Sequence, residues 1–245
     1  MSTGCFFTAD WDAPPSVKTL ITTRQGGVSK GVFASLNLGL HVGDHPQHVL
    51  YNRALVQQAV PVPMAYLNQT HSTDVVRAAD SIAQPRNADA SWDDTGKAAC
   101  TVMTADCLPV LFCHQSGNVV AAAHAGWRGL AGGILQNTVR AMGVPAHEIM
   151  AYLAPAIGAE SFEVGGDVQA AFCAPNPAAQ SCFAPLGNGK YLADIYGLAR
   201  QILQQAGVSR IYGGDFCTVK ESDRFFSYRR DGQTGRMASA VWIER

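Results

Sequence analysis

Two continuous apolar runs joined by a short turn constrain the fold of this 245-residue chain more than any other feature. Residues 110–113 and 119–123 bracket the turn signal Ser116-Gly117-Asn118. Continuous apolar runs of this length are typical of strands buried on both faces. The tight turn predicts that the two strands pair antiparallel, which brings Cys107 and His124 together at one edge of the hairpin.

Strands and helices alternate along the rest of the chain. Apolar positions three to four residues apart predict helices over 46–60, 129–142 and 191–206, and a short helix ending near residue 172. Asp44 is predicted to cap the first of them. Short apolar runs predict strands at 17–23, 98–104, 149–153, 209–212 and 237–243, and two more within 65–76, separated by polar residues around His71. Residues 77–97, 174–189 and 223–235 are predicted loops.

Composition and charge narrow the class of protein. With 47% hydrophobic residues and no linker or repeat, residues 1–245 are predicted to form a single layered α+β (mixed α/β) domain. A net charge of −1 with scattered basic residues argues against nucleic acid or an anionic membrane as partner and favours small-molecule chemistry. Residues 1–10 lack a signal-peptide pattern and no apolar span of transmembrane length follows, so a soluble cytoplasmic protein is expected, and a monomer is permitted.

The seven cysteines form an odd set without C-x-x-C pairs, which fits reduced thiols better than a disulfide framework. Cys100 and Cys113 lie within apolar strands and are expected to be core residues. Cys107 differs, because it stands at a strand boundary between Asp106 and Leu108-Pro109. A side chain at such a boundary can be both fixed and accessible.

His71, Cys107 and His124 share features that suggest a metal site. Each stands at a predicted strand end among small or polar neighbours, and each offers a nitrogen or sulfur donor of the kind that zinc takes. A catalytic zinc has three protein ligands and leaves a position for water or substrate. Their spacing fits no zinc-finger pattern, so two other interpretations stay open: three unrelated residues, or a Cys107 nucleophile that a histidine deprotonates. Bound metal would separate the two chemical interpretations.

Several motifs resemble those of the YfiH family, also called the laccase-domain or multicopper polyphenol oxidoreductase family. The closest resemblance is carried by Asn-Gln-Thr-His-Ser at 68–72, Thr-Ala-Asp-Cys-Leu-Pro-Val at 104–110, Ala-His-Ala-Gly-Trp-Arg-Gly at 123–129 and Phe-Ser-Tyr-Arg-Arg-Asp-Gly at 226–232. Residues 22–29, 35–39 and 154–158 extend it from about Thr19 to the C-terminus. Ser161-Phe162-Glu163 departs from the Cys-Tyr-Glu of the family, which weakens any role assigned there.

The resemblance implies a fold and a metal. The implied fold is a layered α-β-β-α domain, likened to the catalytic domain of cytotoxic necrotizing factor toxins. The implied metal ligands, which are also the implied catalytic residues, are His71, Cys107 and His124, with zinc as the usual ion. Copper belongs to the older laccase (polyphenol oxidase) assignment, but the sequence lacks the paired H-x-H motifs expected of a multicopper oxidase, so zinc is favoured.

The resemblance also implies activities. The leading one is purine nucleoside phosphorolysis, in which adenosine, inosine or methylthioadenosine reacts with inorganic phosphate to release the base and a ribose 1-phosphate, with adenosine deamination alongside. The alternative is peptidoglycan-precursor editing, in which an amidase removes misincorporated serine from a UDP-muramyl intermediate. A third class, a cell-division or sugar-nucleotide binding module, would bind its ligand tightly without turnover.

Roles for individual residues follow as hypotheses. For deamination, zinc would activate water for attack at C6 of adenine, and Asp106, Glu163 and Asp167 are candidates to move protons. For phosphorolysis, the planar fork of an arginine suits phosphate, and the candidates are Arg24, Arg53, Arg128 and Arg229. Asn37 is a candidate contact to a ribose or base edge. Surface salt bridges, or for Asn37 an Asx turn, are the competing structural roles.

Overall fold

A computed structural model describes residues 4–245 of the chain; residues 1–3, part of the segment tested for a signal peptide, lie outside it. Within the described part there are fourteen strands, β1 (Phe6–Phe7), β2 (Val17–Thr22), β3 (Met64–Ala65), β4 (Val75–Arg77), β5 (Ala90–Asp93), β6 (Ala99–Thr104), β7 (Leu108–His114), β8 (Val120–Ala125), β9 (Ile149–Leu153), β10 (Glu163–Gly165), β11 (Phe183–Gly187), β12 (Lys190–Ala193), β13 (Arg210–Gly213) and β14 (Met237–Ile243). The helices there are α1 (Pro46–Gln57), α2 (Trp127–Gly132), α3 (Ile134–Ala141), α4 (Gly166–Cys173), α5 (Ile195–Gln205) and α6 (Tyr228–Asp231). No helix in this part is long and apolar enough to cross a membrane.

The predicted hairpin lies at the centre of a six-stranded sheet with the order β13-β9-β7-β8-β5-β4. Strands β7 and β8 pair antiparallel from Leu108 opposite Ala125 to Cys113 opposite Val120. Alternate side chains of β7 point to opposite faces, so Phe112 packs on the helix side and Leu111 on the other. Both faces of the hairpin are therefore buried, which is why its strands read as continuous apolar runs.

A second sheet, with the order β1-β2-β14-β6-β3, packs face to face against the first. Apolar side chains of both sheets, among them Ile21, Val102 and Leu111, share one buried cluster between them. Helices α3 and α5 cover the outer face of the six-stranded sheet, and α1 covers the outer face of the second. The layering is α-β-β-α in a single mixed α/β domain, as predicted. The likeness to the catalytic domain of cytotoxic necrotizing factor toxins stays a prediction.

Several predicted boundaries were wrong. The helix predicted over 129–142 is two helices, because Gly133 adopts a left-handed conformation with φ 103° between them. The helix predicted over 191–206 begins only at Ile195, since residues 190–193 form β12 of a three-stranded sheet and Asp194 caps the helix. His45, and not Asp44, is the N-cap residue of α1.

All three predicted loops also contain regular structure, and the stretch 223–235 includes helix α6. The polar stretch 77–97 was predicted to be a surface excursion, but it includes β5, which pairs with β8 inside the six-stranded sheet. The stretch 174–189 includes a 3-10 helix over Pro177–Cys182 and strand β11. Tertiary pairing stabilises both strands, although neither contains the β-branched residues that usually signal a strand.

Candidate metal centre and cavity

The β7–β8 pairing explains how Cys107 and His124 meet. His124 lies opposite Pro109, and Cys107 directly precedes β7, two residues before that pair. Side-chain alternation puts His124 on the same face as Val120 and Ala122, toward the second large sheet. The two side chains are thus diagonal neighbours at the open end of the layer between the sheets.

His71 completes the group from the loop between β3 and β4. Its Nε2 lies 3.8 Å from Sγ of Cys107, and its ring centroid is 4.8 Å from that of His124. The donor atoms of the three residues all lie within 4.8 Å of one another. His71 has φ 61°, and Asp106, which precedes Cys107, has φ 86°. Such left-handed backbone is uncommon outside glycine and clusters at functional sites.

A buried carboxylate, Asp89, holds two of the three donors in place. Its Oδ1 lies 2.7 Å from Nδ1 of His124 and accepts the backbone N–H of His71 at 3.0 Å. Its Oδ2 accepts the backbone N–H groups of Thr70 and Ser72 at 3.1 and 2.6 Å. Because Nδ1 of His124 is engaged, Nε2 is the nitrogen free to bind a metal, the usual carboxylate–histidine arrangement of metal sites.

Opposite charges on Cys107 and His124 stabilise each other. Burial would raise the pKa of Cys107, but the positive charge and hydrogen bond of His124, with smaller effects of His71, lower it to about 6. Burial would lower the pKa of His124, yet the Cys107 thiolate and Asp89 raise it to about 9. The pKa of Asp89 falls to about 2, since hydrogen bonds from His124 and Ser72 outweigh the opposing effect of its burial. Without a metal the group is therefore a Cys107 thiolate beside a protonated His124, and binding a metal at His124 requires the release of that proton.

These residues fit a metal ion. A tetrahedral zinc with bonds of about 2.3 Å to sulfur and about 2.0–2.1 Å to nitrogen separates its donors by roughly 3.3–3.6 Å. The 3.8 Å between Sγ of Cys107 and Nε2 of His71 is close to that range. His71 is exposed, Cys107 is half-buried and His124 is buried, so the group faces open space on one side. Three donors with an open side are the arrangement of a catalytic metal site.

The group lies in the wall of a cavity of about 910 Å³. Apolar and aromatic side chains form much of the lining, namely Leu40, Tyr66, Leu67, Trp127, Ile157, Phe162, Ile195 and Tyr228. The basic side chains of the lining, besides the two histidine donors, are His41, Arg53, Arg128, Arg229 and Arg236. Asp106 is its acidic residue. A concave, mostly apolar site with a few polar groups is typical of small-molecule binding.

The structure brings together some of the predicted substrate contacts and not others. Arg53, Arg128 and Arg229 line the cavity. Arg24 lies outside the lining, where its guanidinium donates to the carbonyls of Ala34 and Ser222. Asn37 is fully buried outside the lining and bonds to Gly39, Asp44 and the backbone N–H of Arg236. The placement of Arg24 and Asn37 supports structural roles for both.

The candidate proton carriers have other partners. Asp106 accepts the Thr218 hydroxyl and the backbone N–H of Arg229, both at 2.6 Å. Glu163 forms an exposed ion pair with Lys190 at 2.5 Å, and Asp167 belongs to α4; neither lines the cavity. None of the three carboxylates therefore stands free beside the candidate metal ligands.

Sequence reasoning missed Asp89, His41 and Arg236. Asp89 was assigned to a surface loop, although it is 0% exposed. Its one signal was its position directly before the short strand β5. His41 and Arg236 lie in polar stretches without periodicity, and only the tertiary fold brings them to the cavity.

The chain is a mixed α/β domain with three candidate metal ligands in the wall of a mostly apolar cavity. These features place it in the class of candidate metal-dependent proteins that act on small molecules. This chain belongs to the family described as multi-copper polyphenol oxidoreductase laccase, whose sequence model matches residues 18–244. The resemblance to YfiH proteins seen in the sequence is confirmed by the relatives that follow.

Two curated relatives are both named purine nucleoside phosphorylase. The chain is 50% identical over 240 residues to a purine nucleoside phosphorylase of Pseudomonas aeruginosa, covering 98% of each protein. It is 50% identical over 235 residues to the purine nucleoside phosphorylase YfiH of Escherichia coli, covering 95% of this chain and 96% of that protein. A crystal structure of a Neisseria meningitidis protein superposes with a TM-score of 0.98 at 64% identity, covering 98% of this chain and 100% of the other.

Proposed function

We propose that this chain is a zinc-dependent purine nucleoside phosphorylase. It would cleave adenosine, inosine and methylthioadenosine with inorganic phosphate to a free base and a ribose 1-phosphate, with adenosine deamination as a side activity. The observation that carries the proposal is the convergence of His71, Cys107 and His124 on one point of the cavity wall. The names of relatives at 50% identity supply the substrate class.

The lining of the cavity matches these substrates. The aromatic rings of Trp127, Phe162 and Tyr228 offer apolar surface to a purine, and the basic side chains offer donors to phosphate. Among the arginines predicted from sequence, Arg53 remains a proposed phosphate contact, and Arg128 and Arg229 remain proposed contacts to the nucleoside. The proposed location is the cytoplasm.

Zinc suits the donors better than the copper of the family description. A laccase needs several copper ions with many histidine ligands, whereas residues 4–245 contain one group of three candidate donors. When bound, zinc would supply a Lewis acid and a positive charge at the cavity wall. Asp89 would hold His124 in the tautomer that presents Nε2, and Cys107 would contribute its thiolate.

The lowered pKa of Cys107 also supports the second candidate, an amidase that uses this thiolate as nucleophile on a cell-wall precursor.

One assay distinguishes the phosphorylase from the amidase. Purified protein is incubated with inosine plus phosphate, with adenosine, and with the UDP-muramyl-serine precursor, and products are measured by mass spectrometry. We expect hypoxanthine and ribose 1-phosphate from the first mixture. Release of serine without any nucleoside product would reject the phosphorylase proposal.

Gly126 offers a test of the metal site in which none of the three proposed ligand residues is replaced. A Cβ at this position would lie 2.8 Å from Cδ2 of His71, closer than real Cβ contacts allow, and 3.1 Å from Sγ of Cys107, which is tighter than most of them. Gly126→Ala should displace His71 and weaken zinc binding by about tenfold or more, measured by competition with a chelator.

Gly166→Ala is the matched control for this substitution. Gly166 also stands at the start of a helix, and the nearest atom to its added Cβ is 3.7 Å away. Zinc affinity should match that of the unsubstituted protein in this variant. Equal affinity in Gly126→Ala as well would mean that the ion does not lie between His71 and Cys107.

A further inference from the structure

Three basic side chains, His41, Arg53 and Arg236, line the cavity. The two arginines are close enough to His41 for their charges to affect its pKa. Burial lowers the pKa of His41, and the charges of Arg236 and then Arg53 lower it further. Arg236 is also close enough to Cys107 for the thiolate to oppose the effect of burial on its own pKa. The basic cluster is therefore adjacent to the metal ligands.

Arg53 is fixed, but within residues 4–245 its terminal nitrogens have no oxygen partner. Its Nε donates to the Leu38 carbonyl at 2.8 Å, and its guanidinium stacks on the Tyr66 ring at 3.9 Å from the centroid. Its Nη2 contacts Sδ of Met103 at 3.5 Å, and a thioether is a weak acceptor. The stem and the plane of the guanidinium are thus held while its outer edge keeps donors available.

Arg236 is positioned in a similar way. Its backbone N–H donates to Oδ1 of Asn37 at 2.9 Å, and its Nη1 donates to the carbonyls of Thr234 and Gly235 at 3.0 Å. Its Nε and Nη2 have no hydrogen-bond partner within residues 4–245. The buried Asn37 therefore helps to hold the backbone of Arg236 beside the cavity.

No carboxylate in the described part of the chain forms an ion pair with Arg53 or Arg236, whereas Arg77 pairs with Asp94 on another surface. Asp106, the acidic residue of the lining, is occupied by Thr218 and Arg229. Burial lowers the pKa of both Arg53 and Arg236. The charges of Cys107 and Asp106 oppose this effect at Arg236, but neither group forms an ion pair with it. Partly buried cations without an ion pair are costly unless an anion compensates them.

We propose that His41, Arg53 and Arg236 form the binding site for the phosphate dianion, a more specific assignment that rests on the phosphorylase function proposed above. Two guanidinium edges can each donate to phosphate oxygens. In phosphorolysis an oxygen of hydrogenphosphate bonds to C1′ of the ribose as the C1′–N9 bond breaks. The purine leaves with that electron pair and takes up the proton that the phosphate gives up.

The other two arginines of the lining are less suited to this role. Arg229 turns its Nη1 toward the backbone carbonyl of Glu163 at 2.9 Å. Arg128 is exposed and stacks on the Trp127 ring at 4.4 Å. Arg128 provides the comparison that locates the phosphate, since it lines the same cavity without belonging to the cluster.

The test measures phosphate binding and turnover separately, on the protein as purified. Calorimetric titration with potassium phosphate gives the dissociation constant, and initial rates with inosine give KM for each substrate. Arg53→Met and Arg236→Met should each raise the phosphate dissociation constant and KM by about tenfold or more, because a charge-assisted hydrogen bond is lost. The KM for inosine should change by less than about threefold, within the context-dependence of such contacts. Arg128→Met and the surface control Arg77→Met should leave the phosphate dissociation constant unchanged.

Each result decides the proposal. Unchanged phosphate affinity in Arg53→Met and Arg236→Met, an equal loss in Arg128→Met, or no saturable phosphate binding by the unsubstituted protein would overturn it. Phosphate binding that depends on Arg53 and Arg236 without any nucleoside turnover would support the site and reject the phosphorylase function. If either methionine variant fails to fold, Arg53→Lys and His41→Gln take its place, with weakened phosphate binding expected and unchanged binding contradicting the site.

Discussion

Replacing Cys107 with serine is expected to abolish zinc binding and nucleoside phosphorolysis together while the fold stays intact. A serine hydroxyl is a much poorer zinc ligand than a thiolate, so zinc content should fall below about a tenth of an equivalent. Loss of the ion removes several kcal/mol of transition-state stabilisation, and turnover should drop about a thousandfold or more. Cys107 is half-buried at a strand end, so the metal-free protein should still fold, and the lost attraction between the thiolate and His124 should lower its free energy of unfolding by about 1–3 kcal/mol. Metal analysis, initial rates and urea unfolding measure the three quantities.

Cys113→Ser, in the strand that Cys107 directly precedes, is the matched control. Cys113 is fully buried between the two large sheets, where a hydroxyl without a partner costs about 1–3 kcal/mol. This variant should lose stability to a similar extent and keep its zinc, whereas Cys107→Ser should lose its zinc. A Cys107→Ser protein with full zinc content would show that the thiolate is not a ligand.

Asp89→Asn is expected to weaken zinc binding and to destabilise the fold at the same time. The carboxylate accepts from His124 and from the backbone N–H groups of Thr70, His71 and Ser72. An amide at this position is uncharged and turns one oxygen acceptor into a donor. Loss of such a partner of a ligating histidine typically lowers metal affinity 10–100-fold. The broken charge-assisted bonds should cost about 3 kcal/mol or more of unfolding free energy.

Asp93→Asn separates these two effects. Asp93 stands at the other end of β5, is also buried, and accepts from Thr95 and from the backbone N–H of Gly96. The substitution should destabilise the protein by about 1–3 kcal/mol without changing zinc affinity. Chelator competition and urea unfolding on both variants give the comparison. Equal zinc affinity in the two variants would contradict the positioning role of Asp89.

Local sequence predicts on physical grounds that two of the three candidate metal ligands meet. Residues 110–113 and 119–123 are apolar throughout because both faces of the hairpin are buried, and the turn between them sets the register that brings Cys107 to His124. His71 is different. It reaches the group through a loop with left-handed backbone, and no periodicity predicts where such a loop ends. Its assignment depended on resemblance to a family.

The residues that complete the site were not predictable in this way. Asp89 precedes a short, polar strand, and its burial follows from pairing with β8, which is a tertiary event. Arg236 is directed to the cavity by Asn37, which is far away along the sequence. Among the arginines, sequence could not distinguish Arg24, which bonds backbone carbonyls, from Arg53, which lines the cavity. Residue types identified candidates for the site, and three-dimensional placement was the missing information.

X-ray absorption at the zinc edge, on protein purified without chelator, tests most directly whether His71, Cys107 and His124 hold one ion. We predict one zinc per chain, with one sulfur ligand at about 2.3 Å and two histidine nitrogens at about 2.0–2.1 Å. A bound metal without any sulfur ligand, or a chain that neither contains zinc nor takes it up, would contradict the account.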